Sequence, residues 1–253
     1  MAPDPQKHIK NHLLHTKSLP VSEIWLSQFL SSQRPGITPL PALTQTALFR
    51  LLASDFTRSL EIPVTNSSQV LPADVSNPNI KERRISGPVP VQVLDIEDIG
   101  SSAWSQIEAI ERIERGETVR GREVIRTVPH EIDEGSNNTG TAGENGRPSP
   151  HSVTVNTGLE HTRPGGPHRL ILQDCRGTKM IAIELKPLTL KIGETAIGTK
   201  LLLANATVAR GMALLEPECV TILGGKIDTL DREWKIGRKA RLLSALNPPD
   251  FTS

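Results

Sequence analysis

Several residue groups in this chain have types and spacings that suggest chemistry. His8, His12 and His15 recur at helical spacing, and an i, i+4 histidine pair can chelate a metal. Nothing nearby completes a ligand set, so they read as a solvated helix face. Asp95, Glu97 and Asp98 are dense enough to hold a divalent cation, although the exposed end of a strand explains them better. Cys175 could act as a nucleophile with His168 as its base, but no third group is placed to orient the pair. Gly193-Glu-Thr-Ala-Ile-Gly-Thr-Lys200 looks like a phosphate loop until its order is read. The lysine follows the threonine instead of preceding it, and the segment leads into a strand where a phosphate loop leads into a helix. Gly224-Gly225 lacks the third glycine of a dinucleotide fingerprint and reads as a chain turn. No catalytic constellation emerges, and neither a cofactor nor a metal is implied.

Composition narrows the class further. Lys and Arg number 29 against 28 Asp and Glu, a net charge of +1, which gives no global basic field of the kind nucleic-acid binders carry. Two cysteines make neither a disulfide framework nor a zinc set. The N-terminus has no apolar signal core, and no run reaches the roughly 20 apolar residues of a membrane span. The expectation is an intracellular soluble protein with no membrane partner.

The elements that would position these residues fall into blocks. Residues 1–62 read as a small bundle of three helices, 5–15, 20–30 and 45–60. In the second, Val21, Ile24, Trp25, Phe29 and Leu30 face inward; Thr44 caps the third. So slight a bundle needs a surface to pack on. Residues 63–87 read as a linking loop with a short basic cluster at Lys81-Glu-Arg-Arg84. Val89 to Ile96 alternates as a first strand, and Ser101 to Glu111 as a short helix that Ser102 could cap. From His168 to Gly225 runs a row of short apolar segments with turn residues between them: 169–174, 180–185, 199–205, 211–215 and 219–223. That row argues for a small barrel. Asp228 to Leu246 closes the domain (88–247) as a helix with Leu230, Trp234, Leu242, Leu243 and Leu246 on its apolar side, and 248–253 form a tail.

Between the first two predicted strands lies an anomaly, residues 112–167. Its first part alternates Arg115, Arg120, Arg122 and Arg126 with Val119, Val124, Ile125 and Val128. Its second part is Gly, Ser, Asn, Thr and Pro. Stretches this long without a period tend to be functional or disordered.

A helix-flanked barrel of about five strands suggests the OB-fold, which binds single strands by stacking bases on aromatic side chains. Aromatic residues are only 3% of this chain, and every Trp and Phe except Phe251 falls in a predicted helix. The barrel groove therefore lacks a stacking platform.

Taken in order, several segments resemble the RecQ-mediated genome instability protein 1 family. They are Leu19-Pro-Val-Ser-Glu-Ile-Trp-Leu26, Leu52-Ala-Ser-Asp-Phe56 and Ile99-Gly-Ser-Ser-Ala-Trp-Ser-Gln-Ile107, then Leu170-Ile-Leu-Gln-Asp174, Gly198-Thr-Lys200, Arg210-Gly-Met-Ala-Leu-Leu-Glu-Pro217 and Val220-Thr-Ile-Leu-Gly-Gly225. The likeness is to the short, fungal-like form, without the second C-terminal barrel of larger members. It implies a mostly β fold with α: a three-helix N-terminal bundle on an OB-fold barrel that carries a long insertion between its first two strands, followed by a C-terminal helix. It also implies a non-enzymatic nuclear subunit that binds topoisomerase III and works with a RecQ-family helicase. In that family the insertion enters the topoisomerase gate and favours decatenation and double-Holliday-junction dissolution. Here Val119, Val124, Ile125 and Val128 would be its apolar anchors, with Arg120, Arg122 and Arg126 meeting acidic protein or DNA phosphate. A second reading is direct binding of single-stranded or junction DNA through Arg112, Arg115, Lys235, Arg238, Lys239 and Arg241, with the salt sensitivity of counterion release. A third, an enzyme, has no assembled site behind it.

Overall fold

A computed structural model describes residues 4–33, 38–63, 66–116 and 166–246. Packing divides the chain into one unit of residues 1–107 with 165–253 and a second of residues 108–164. In the second, the described part is the end of one helix, 108–114, and the two residues after it.

Helix α1 (Pro5–Lys17) starts as its sequence dictates. Asp4 accepts the Gln6 N–H at 3.0 Å and Pro5 takes the first helical position. The chain then runs extended through residues 20–22, which pair with 59–61 by Ser22 N–H to the Ser59 carbonyl and Glu61 N–H to the Pro20 carbonyl. That bridge delays α2 to Glu23–Ser31, past the predicted start at Pro20. The shift changes the buried face: Leu26 and Phe29 are buried, whereas Ile24 is exposed. Helix α3 (Leu40–Leu52) begins before Thr44, whose hydroxyl donates back to the Leu40 carbonyl at 2.8 Å. Thr44 is therefore an interior residue, not the cap, and Pro39 occupies the cap position. The predicted helix 45–60 breaks after α3, and Asp55 caps a separate turn, α4 (Phe56–Ser59), through the Thr57 N–H.

The strands are β1 (Glu82–Ile85), β2 (Val89–Asp98), β3 (His168–Asp174), β4 (Lys179–Glu184), β5 (Lys200–Leu203), β6 (Ala206–Ala209), β7 (Met212–Leu215) and β8 (Val220–Gly224). Helix α5 (Ala103–Glu114) follows β2, and α6 (Asp228–Leu246) ends the described chain at the bounds predicted for it. The sheet order is β1-β6-β7-β4-β3-β2-β5-β8, antiparallel except for β4 with β7. It curls because β5 and β6 are one run of chain bent at Asn205, whose φ is 55°. The first half pairs with β2 and β8, and the second with β7 and β1. The result is an OB-fold-like half-barrel against which the helical bundle packs, as expected.

Two strands depart from the sequence reading. β1 lies in the stretch read as a loop; its Glu82-Arg-Arg84 run suits an edge strand, where charges blunt further pairing. β6 was missed because Ala206-Thr-Val-Ala209 is half alanine, a residue depleted in strands.

Bundle and barrel meet over a buried polar joint. Lys200 is fully buried, and its ammonium donates to the Gly198 carbonyl at 2.7 Å and to Gln92 Oε1 at 3.3 Å. It also lies 4.9 Å from the centre of the Phe56 ring. Gln92 accepts the Phe56 N–H at 3.1 Å and donates to Asp55 at 2.8 Å and to Gln173 at 3.1 Å. One side chain on β2 thus engages α4, β3 and β5. Beside the joint, Gly225 presses on the end of α3, where a Cβ would stand 2.3 Å from the Leu52 carbonyl oxygen.

Burial lowers the Lys200 ammonium to about 8, against the opposing pull of Asp55. Below pH 8 the folded and unfolded chains both hold this proton. From there to the ordinary value of 10.5, only the unfolded chain holds it, so this group adds stability as pH rises. Urea unfolding between pH 7.5 and 10.5 should show the native chain gaining on a Lys200→Met variant by up to about 1.4 kcal/mol per pH unit. A constant difference across that window would show that Lys200 does not titrate there.

Candidate interaction surface

The insertion residues Val119, Arg120, Arg122, Val124, Ile125, Arg126 and Val128 lie outside the described residues. The place from which the insertion departs does not. Asp98, the last residue of β2, is the register partner of His168, the first of β3, so residues 99–167 leave and rejoin the barrel side by side. Ile99 N–H donates to the Pro167 carbonyl at 3.0 Å. Gly100 passes so close to Gly166 that a Cβ would stand 2.2 Å from its carbonyl oxygen.

The acidic cluster at this end is held by local partners. Asp95 accepts the Trp234 indole N–H at 2.5 Å. Glu97 accepts Arg169 at 2.7 Å, and Asp98 takes the N–H groups of Gly100 and Ser101 at 2.8 and 3.1 Å. Gln106 then donates to the carbonyls of Asp98 and Ser101, both at 3.0 Å. Ser102 caps α5 by accepting the Ser105 N–H at 3.1 Å. Among the described residues no group of three or more His, Cys, Asp or Glu is gathered as a metal site would be.

His168 and Cys175 do not form a nucleophile–base pair, because they flank β3 at opposite ends. His168 is buried with Glu184, whose Oε2 meets the ring Nδ1 at 2.6 Å and the His168 N–H at 2.9 Å. This pair fixes the point where the insertion rejoins the barrel. The Cys175 thiol sits in the bundle core, where burial and the charge of Asp174 push it up to about 11. It is a protonated filler of apolar space.

The basic residues of the DNA reading are also engaged locally. On the part of α5 in the second unit, Arg112 pairs with Glu108 at 2.7 Å and Arg115 with Glu111 at 4.0 Å. On α6, Lys235 holds Asp231 at 2.7 Å, and Asp231 in turn accepts the Ile197 N–H at 3.0 Å. Arg238 and Arg241 lie over the Trp234 ring, at 5.7 and 5.5 Å from its centre. Arg238 donates to Gln106 at 3.2 Å and Arg241 to the Trp234 carbonyl at 3.1 Å. Burial draws the Arg238 guanidinium below its ordinary range, against the pull of Asp98. Gly237 leaves room for Arg241, which would otherwise stand 2.9 Å from a Cβ there. Lys239 lies half-buried on the same helix. A pocket of about 210 Å³ opens between α6 and the end of β2, lined by Asp98, Gln106, Ile192, Trp234, Arg238 and Leu242, among others.

Two large apolar side chains stand outward at this end among exposed serines. Trp104, in the first turn of α5, is 66% exposed, and Ile99 beside the insertion root is exposed too. Sequence reading placed Trp104 on a helix without asking which way it faced. The signal was a large aromatic at the edge of the stripe formed by Ile107 and Ile110, among Ser, Gln and Glu.

Comparison with known proteins agrees with this architecture. Residues 71–238 match the family model described as "RMI1, N-terminal OB-fold domain", and residues 13–59 match "RMI1, N-terminal helical domain". A Schizosaccharomyces pombe protein named RecQ-mediated genome instability protein 1 is 31% identical over 215 residues, which is 85% of this chain and 85% of that protein. With both units of the fold matched in order, the chain belongs to the RMI1 family.

Proposed function

We propose that this chain is a non-catalytic subunit of a nuclear assembly containing topoisomerase III and a RecQ-family helicase. In this reading it stimulates decatenation and double-Holliday-junction dissolution through the segment between β2 and β3. The observation that carries the proposal is the root of that segment: Asp98 and His168 are register partners, so a long excursion leaves a braced platform and returns to it. A rigid base suits a segment that must be held against a partner, because ordering it in advance lowers the cost of binding. Trp104 and Ile99, exposed at that root, are the side chains best placed to anchor the partner, since buried aromatics dominate interface energetics. The OB-type barrel acts as the holder. Among the described residues its strands carry no Trp, Phe or Tyr, and Arg112, Arg115, Lys235, Arg238 and Arg241 have local partners.

Replacing residues 117–163 with a short Gly/Ser bridge should leave a folded barrel that no longer stimulates decatenation of linked DNA circles by topoisomerase III. Undiminished stimulation would take the insertion out of the mechanism. Trp104→Ala should weaken binding to topoisomerase III about tenfold or more without moving the thermal midpoint, because the ring is largely exposed. A drop in midpoint with unchanged binding would make Trp104 structural. If the isolated chain retains salt-sensitive affinity for single-stranded DNA after the insertion is removed, direct DNA binding takes precedence over the holder role.

A further inference from the structure

The curled sheet has two edges, and they are built differently. β1 carries Glu82, Arg83 and Arg84, with Arg83 held by Asp74 at 2.7 Å; charges of this kind blunt an edge. β8 reads Val220-Thr-Ile-Leu-Gly224, without a charge or a proline, and pairs only with β5. The ladder decides which of its groups point away from β5. Pro90 of β2 has no N–H and faces Leu202, so Leu202 turns its own N–H and C=O to the other side, where its register partner is Thr221. Two residues further along the chain, Ala204 N–H donates to the Cys219 carbonyl at 3.0 Å, in the same alternation. Val220 and Ile222 therefore direct their N–H and C=O groups outward. Among the described residues nothing bonds these groups on that side. Space lies open there as well: Thr221 is exposed, and a Cβ at Gly224 would meet nothing within 4 Å.

We propose that the open edge of β8 takes up an extended segment of a partner protein as an added strand. N–H and C=O groups presented by alternate residues form the repeat that a main chain in β conformation matches, so the edge itself selects an extended polypeptide. Val220 and Ile222 lie half-buried against the barrel core, whereas Thr221 faces water. The segment that fits has aliphatic side chains at alternate positions and uncharged polar ones between them. Nucleic acid is a poorer fit, because the strand offers no cation to meet phosphate. Pairing of β8 with the same strand of a second copy would rest on these 5 residues, whereas a stable dimer buries roughly 800 Å² a side. A partner's segment can run on past both ends of the strand. This edge is separate from the insertion root, which opens between β2 and β3.

The test uses the full chain and a fluorescent peptide of about eight residues, long enough to overrun β8 at roughly 3.3 Å per residue. Val and Thr alternate in it, with a Lys at each end for solubility. Hydrogen exchange should slow at the amides of Val220 and Ile222 when the peptide is added and stay unchanged in β1. Anisotropy should show binding that falls about tenfold or more when every amide between the lysines is N-methylated. Ile222→Pro, which removes one outward N–H and leaves the bonds to β5, should weaken binding while keeping the native circular dichroism; the methylated peptide decides the matter even where that variant fails to fold. Equal binding of the methylated peptide would overturn the proposal, as would binding without protection of the two amides, or no binding at all. Slowed exchange at these amides in the chain alone, rising with its concentration, would assign the edge to a second copy and overturn it too.

Discussion

A buried ammonium has to be satisfied, and the way this fold satisfies Lys200 holds the rest of it in place. Removing a charge from water costs several kcal/mol unless geometry and hydrogen bonds compensate. The compensation comes from the Gly198 carbonyl, Gln92 and the Phe56 ring, with Asp55 nearby. Phe56 and Asp55 belong to the helical bundle, whereas Gln92 and Gly198 belong to the barrel. Undocking the bundle would remove the ring and the carboxylate together and leave the ammonium with fewer partners. Docking therefore has a polar key as well as an apolar interface. Val70 from the linking segment and Cys175 and Leu223 from the barrel complete the joint by packing into the bundle core.

How much of this could be read in the sequence depends on where the information resides. Helix α6 was legible in its bounds, but of the residues read onto its apolar side Leu230 and Trp234 pack on the barrel while Leu243 and Leu246 are exposed. Helix α2 was legible as a helix but not in phase: the bridge between residues 20–22 and 59–61 is a long-range contact, and it decides that Leu26, not Ile24, turns inward. Thr44 looked like a cap because threonine favours caps, yet its hydroxyl can also bond a carbonyl four residues back. Strand β6 was hidden by its alanines. Lys200 drew notice as a failed phosphate-loop lysine and within Gly198-Thr-Lys200, but nothing local says that a lysine beginning a strand will be buried.

The same argument applies to the acidic and basic residues around the insertion root. In sequence, Asp95, Glu97 and Asp98 are a cluster, and a cluster suggests an ion. In the fold each turns to a different partner: an indole N–H, a guanidinium and two backbone N–H groups. The cations of α6 divide in a similar way between Trp234, Gln106 and Asp231. These contacts bind α6, α5 and the two strand ends into one framework within the first unit. Local partners weaken what each charge can offer at a distance, because an exposed pair is screened and already partly neutral. Charges engaged in this way brace a platform better than they steer a ligand.

That division of labour is clearest on α6. Its inward face closes the barrel through Trp234, whose indole is fixed by Asp95 and covered by Arg238 and Arg241. Its outward face carries Ile236, Leu243 and Leu246, which nothing in the barrel core requires. Lys235 on the outward flank pairs with Asp231 on the inward side, so changes to the two faces should couple at that pair instead of simply adding. A helix anchored on one side can present the other without paying again for its own folding.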